Sequence, residues 1–150
     1  GYRLNVVDAA CGSRFYNFEK TKDGGTTWTE VNGDPFDQNM GVAEGLLFFT
    51  NDFGFAGLTY ASEDFSMLYV TKDGGETFER LELPLDTVTE LPSEAEELGF
   101  TIEDYDYHTM PQIVDGKMEI YLQTDAMEQQ GIIFQSEDNG VTWEYAGCKE

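Results

Sequence analysis

The sequence predicts an all-β protein built from about three repeated units. Two observations carry this. A pattern of eight residues occurs three times, and strand-like runs flank every copy. The copies read Thr21-Lys22-Asp23-Gly24-Gly25-Thr26-Thr27-Trp28, Thr71-Lys72-Asp73-Gly74-Gly75-Glu76-Thr77-Phe78 and Ser136-Glu137-Asp138-Asn139-Gly140-Val141-Thr142-Trp143. Composition agrees, since 14% aromatic residues and 16 glycines suit a chain of many strands and turns.

Each copy reads as a hairpin turn. Arg14–Phe18, Met67–Val70 and Ile132–Gln135 precede the copies, and Thr27-Trp28, Thr77-Phe78 and Thr142-Trp143 close them. Two β-prone runs around an Asp-x-Gly cluster are a hairpin signal. Asp23, Asp73 and Asp138 can accept backbone N–H groups further along the turn. Gly25, Gly75 and Gly140 can take positive φ without steric cost. Trp28, Phe78 and Trp143 offer apolar surface that anchors each hairpin to a sheet.

The elements follow in order. The first unit, about 1–35, offers strands at 3–8, 13–20 and 27–32. The second, about 36–85, offers 44–50, 54–61, 66–71 and 77–83. The third, about 108–150, offers 109–114, 117–124, 131–136 and 142–146. The copies begin at 21, 71 and 136, so their spacings are 50 and 65. The longer spacing holds an insertion at 86–107 with eight acids and no base. Within it, Ser93 and Glu96 form a capping-box pattern and Gly99 a stop, so one short helix is expected near 93–98. The whole chain of 150 residues is long enough for one domain with a real core.

The repeated pattern resembles the Asp-box, or bacterial neuraminidase repeat, of sialidase-like proteins. The copies cover 24 of 150 residues, and the strand pattern extends the resemblance over most of the chain. That family sets the box between the third and fourth strands of a β-propeller blade. The resemblance therefore implies propeller-type blades, one partial and two full. Propellers close with about four to eight blades. Three units imply a partial or fragmentary propeller, completed by missing blades or by self-association, because exposed strand edges invite pairing. In the family the box is mainly structural, so its aspartates are expected to form turns and not to catalyse.

The sialidase resemblance also implies an arginine triad. Tyr2-Arg3-Leu4-Asn5 is similar to the family's Phe/Tyr-Arg-Ile-Pro motif and departs from it at Asn5. The chain has only Arg3, Arg14 and Arg80, and all would have to converge on one carboxylate. Arg3 is the member expected to touch a ligand. His108 is the one histidine, and no nucleophilic arrangement accompanies it. Asp104, Asp106 and His108 alternate at strand spacing, so they could share a face and bind Ca²⁺ or a softer metal, against a solvated-loop reading. Beyond that, no cofactor is expected. Tyr60, Phe65, Tyr105, Tyr107 and Tyr145 could form a platform, although strand aromatics are mostly core. Tyr105 and Tyr107, beside the acidic insertion, are the ones expected at the surface.

Eight bases against 30 acids give a net charge of −22. Such a surface repels nucleic acid and anionic membranes and favours solubility, cationic partners or divalent metal. No apolar run nears the roughly 18 residues of a membrane span. Position 1 is Gly and no signal peptide is visible, which reads as a mature or trimmed chain. Cys11 and Cys148 lie near the two ends, where a repeat ring would close. A disulfide there would imply an oxidising compartment, and two free thiols are the rival reading. The expectation is an extracellular or cell-surface, non-catalytic recognition or scaffold module that binds a glycan or a protein. The alternative is a fragment of a sialidase-like glycoside hydrolase with an incomplete active site.

Overall fold

The computed structural model describes residues 1–60, 65–125 and 129–150. Its strands form three antiparallel sheets. The first sheet joins β1 (Tyr2–Ala10), β2 (Ser13–Lys20) and β3 (Thr29–Asn32) in that order. The second joins β4 (Val42–Phe48), β5 (Gly54–Thr59), β6 (Ser66–Thr71) and β7 (Glu79–Arg80). The third runs β12 (Glu144–Lys149), β11 (Gly131–Ser136), β10 (Lys117–Gln123) and β8 (Tyr107–His108), and β9 (Gln112–Val114) also pairs with β10. Each sheet's last hairpin carries one copy of the repeat. The all-β expectation holds.

Most strands lie where the sequence puts them, and the differences have local causes. The strands expected at 27–32 and 77–83 shrink to Thr29–Asn32 and Glu79–Arg80. Thr27 and Thr77 are held by the box aspartates, which keeps them in the turn. Of the strand expected at 109–114 only β9 forms; Thr109, Met110 and Pro111 separate it from β8, which lies before the expected range, and Pro lacks a ladder donor. Ala61, the expected end of the 54–61 strand, lies outside the described residues.

Two compact units divide the chain, Gly1–Leu81 and Glu82–Glu150. In the first, Tyr16, Phe36, Ala56, Leu58, Met67 and Tyr69 form a buried cluster between the first two sheets, with Leu4, Ala43, Leu46 and Phe78 packed on it. The Tyr16 hydroxyl accepts the Ala43 N–H at 2.9 Å, and Tyr69 donates to the Phe36 carbonyl at 3.2 Å. Phe18 is fully buried, stacked on Phe48 and edge-on to Phe78. Burying one such ring contributes about 2–3 kcal/mol.

In the second unit Ile120, Leu122, Ile132 and Phe134 fill one face of the third sheet. The short helix α1 (Ser93–Leu98) forms as expected and ends at Gly99, whose φ is 72°. Its start differs from the expected capping box. Pro92 is the N-cap, and Ser93 is already helical. The Ser93 hydroxyl and N–H instead donate to the Glu150 carboxylate, and the Glu94 N–H donates to Gln130. These groups satisfy donors that the first turn leaves orphaned. A capping box does form at Thr101 and Asp104, in a 3₁₀ turn that follows the helix.

Candidate functional site

The three repeat copies fold into one hydrogen-bonded turn. In the first, Thr21 Oγ1 donates to Asp23 at 2.8 Å and accepts the Gly25 N–H at 2.9 Å. Asp23 also accepts the Thr27 N–H at 2.8 Å and the Thr27 hydroxyl. Thr71, Asp73, Gly75 and Thr77 repeat this pattern, as do Ser136, Asp138, Gly140 and Thr142. Gly25, Gly75 and Gly140 have φ of 92°, 93° and 90°, as expected. Trp143 is buried, Phe78 meets Phe18, and Trp28 is half-buried.

These carboxylates are committed to their turns. Donation from the Thr27 side chain and backbone holds Asp23 down to about 2. The corresponding Thr142 groups hold Asp138 at about 2. At Asp73 burial works upward, but donation from Thr77 overcomes it and the carboxyl is again lowered. A general acid needs a raised value, so none of the three is poised for proton transfer at neutral pH.

Arg3 lies exposed on β1. Its Nε donates to Glu19 at 2.7 Å, and its guanidinium lies 4.1 Å from the Trp28 ring centre. Behind this pair Asn17 donates to Glu30 at 2.7 Å and to Glu19 at 3.5 Å, while its own Oδ1 is buried without a hydrogen-bond partner. Arg3 sits opposite Glu19, whereas Arg14 sits opposite Ala9. Six residues along β1 separate the two positions by about 20 Å. Arg3 and Arg14 therefore cannot grip one carboxylate, and the chain assembles no arginine triad.

Tyr105 and Tyr107 are not at the surface. They are 2% and 9% exposed, so the expected surface position is corrected. Tyr105 packs edge-on against Phe100, and its hydroxyl lies 3.4 Å from Glu94. Of the five platform candidates Tyr60 is the exposed one, 62% accessible and beside Phe65. Asp104 is not on a strand but closes a 3₁₀ turn, where it accepts the Thr101 N–H at 2.7 Å. His108 lies on β8 opposite Leu122. Among the described residues no three His, Cys, Asp or Glu side chains gather to hold a metal. Strand alternation does not apply to Asp104, and the proposed cation face is corrected accordingly.

Cys11 and Cys148 each carry a free thiol, one in each unit. Cys11 is exposed at the β1–β2 turn, and the Cys148 thiol donates to the Glu90 carbonyl within its own unit. Burial pushes the Cys148 thiol up.

The sequence reading missed the polar face of the third sheet. Glu119, only 6% exposed, accepts the Tyr121 hydroxyl at 2.6 Å and the Gln135 amide at 2.7 Å. The Glu119 hydrogen bond pushes the Tyr121 hydroxyl up to about 12. A carboxylate between Met118 and Ile120 on an apolar strand was the available signal. Next to it a shallow groove of about 460 Å³ runs past Lys117, Gln135, Glu137, Thr142 and Glu144. Lys117 and Glu137 bridge part of it at 2.7 Å.

Compared with known proteins, the chain matches no family model, no curated protein and no solved structure. Among the described residues no helix is long and apolar enough to cross a membrane.

Proposed function

We propose that this chain is a non-catalytic recognition or scaffold module made of Asp-box blades of the propeller type. It works outside the cell or at its surface and binds a glycan or a protein. One observation carries the reading: all three box carboxylates are spent on their own turns through the same hydrogen bonds. The boxes then build the fold, and recognition falls to the surfaces between them. The separation of Arg3 from Arg14 supports the same reading over hydrolysis of a sialoside.

The test is a paired assay on the 150-residue chain. A fluorogenic sialoside is expected to show no turnover above buffer, while an immobilised glycan and peptide array is expected to retain the protein. Turnover that disappears in Arg3→Ala would overturn the non-catalytic reading.

A further inference from the structure

We infer that the acidic insertion between the second and third boxes is a docking site for a basic, amphipathic segment of a partner protein. Two apolar side chains of that segment enter a groove, and its lysines or arginines meet the rim. This deepens the recognition reading by choosing a protein over a glycan and by placing the contact, and it rests on that reading for the existence of a partner.

The insertion intersperses apolar residues among its acids. Leu85, Val88, Leu91, Phe100 and Ile102 belong to this stretch, and none of the five is buried. They line two adjoining pockets. One, of about 400 Å³, lies against Leu91, Ala95 and Phe100. The other, of about 320 Å³, lies against Leu85, Val88, Leu91, Phe100 and Ile102. Leu91 and Phe100 belong to both, so the pockets form one groove with two seats. Volumes of this order hold ligand groups. The hydroxyls of a sugar would go unpaired against such walls, whereas apolar side chains fill them at no such cost.

The groove is fixed from behind. The Glu90 carbonyl accepts the Tyr145 hydroxyl at 3.2 Å and the Cys148 thiol at 3.3 Å, which ties one wall to β12. The Phe100 N–H donates to the Ala95 carbonyl at 2.9 Å, and the capping box of Thr101 and Asp104 holds the turn that follows. Walls already in place cost little ordering when a partner binds.

The rim names the charge of the partner locally. Glu90 and Glu96 line the pockets themselves. Asp86, Glu97 and Glu103 stand exposed in the same stretch, and among the described residues none of these five carboxylates meets a base. Residues 86–107 hold eight acids and no base of their own. Glu96 and Glu97 also stand near the C-terminal end of α1, where the helix dipole favours bases and the last turn has none. A partner's Lys or Arg set there pairs the rim and complements the helix end.

A second copy of this chain lacks such a segment. Lys20 and Lys22 are its only bases within five residues of each other, and among the described residues no large apolar side chain is exposed near them. The occupant is therefore a different polypeptide.

The probes are short labelled peptides with two leucines, at spacings that suit an extended strand or a helix, and lysines at the other positions. They are titrated into the 150-residue chain and followed by anisotropy and by amide hydrogen exchange. At least one spacing is expected to bind saturably, with slowed exchange confined to residues 85–103. Leu85→Asn, at an exposed residue and so expected to melt as wild type does, is expected to weaken binding about tenfold. Glu90→Gln with Glu96→Gln is expected to weaken it several-fold more than Glu76→Gln with Glu79→Gln, which removes the same charge from exposed positions in the other unit. Glutamates in place of the peptide lysines, or serines in place of its leucines, are expected to abolish it. Binding of no peptide, unchanged binding to Leu85→Asn, equal losses in the two charge variants, or protection elsewhere overturns the inference. Glycan retention on the array with no peptide binding leaves the recognition reading intact and removes only the groove.

Discussion

Arg3 and Glu19 face each other across β1 and β2 as an ion pair of 2.7 Å, at the position where the other two sheets place Ala56 opposite Tyr69 and Ile120 opposite Phe134. Asn5, Asn17 and Glu30 share its face by their cross-strand pairing. An apolar pair belongs under another layer, and a charged pair belongs at a wet surface. The first sheet therefore turns its apolar side, with Tyr16 and Phe18, onto the second sheet and its polar side away.

The Arg3 side chain is 42% exposed, so its pair with Glu19 is screened. Arg3→Ala is expected to lower the unfolding free energy by less than about 1 kcal/mol in urea titrations, its contact with Trp28 included. A loss of several kcal/mol would show that this face is covered.

The box hydroxyls are more demanding. Thr71 is 1% exposed, and its Oγ1 both donates to Asp73 and accepts the buried Gly75 N–H. Thr71→Val keeps the shape and removes both bonds. It should cost about 2 kcal/mol, chiefly for the stranded Gly75 donor. Thr71→Ser, the residue used at position 136, should recover more than half of that. Equal losses in the two variants would mean that packing, not hydrogen bonding, holds the turn.

Equivalent glycines should differ sharply. A Cβ on Gly75 would lie 2.0 Å from Phe18 Cε1, whereas one on Gly25 meets Trp28 at 3.6 Å. Both carry the same left-handed φ penalty, about 1–2 kcal/mol. Gly75→Ala must also displace a ring sealed between Phe48 and Phe78, so it is expected to exceed Gly25→Ala by at least about 2 kcal/mol. Thermal or urea unfolding of the two variants decides this, and equal costs would place the ring of Phe18 elsewhere in solution.

The turns were legible because their chemistry is local. Thr21, Asp23, Gly25 and Thr27 complete their bonds within seven residues, so spacing alone encodes them. The α1 stop at Gly99 is local in the same way. Its start was not, because the groups that cap it come from Gln130 and Glu150. Tyr105 was misplaced for a related reason. An acidic stretch looks solvated, yet alternate side chains of the same segment turn inward, and no local signal says what they meet. The Arg3–Glu19 pair depends on which face of the first sheet meets the second, a property of their packing and not of either strand.

Acid should expose the role of the box carboxylates, provided that it is read as a difference. Asp23 and Asp138 sit at about 2 in the fold, below the model-compound value of 3.8. A lowered folded value means that the native turn prefers the charged form. Its stabilisation is complete above about pH 4–5 and disappears as pH falls towards 2. The other carboxylates pull the opposite way, since protonating a chain of −22 relieves repulsion. A bare melting curve against pH mixes the two effects. The gap in melting temperature between wild type and Asp138→Asn removes the shared repulsion. That gap is expected to be widest near pH 6 and to close steadily between pH 4 and pH 2. A gap that stays constant down to pH 2 would mean that the turn uses the shape of Asp138 and not its charge.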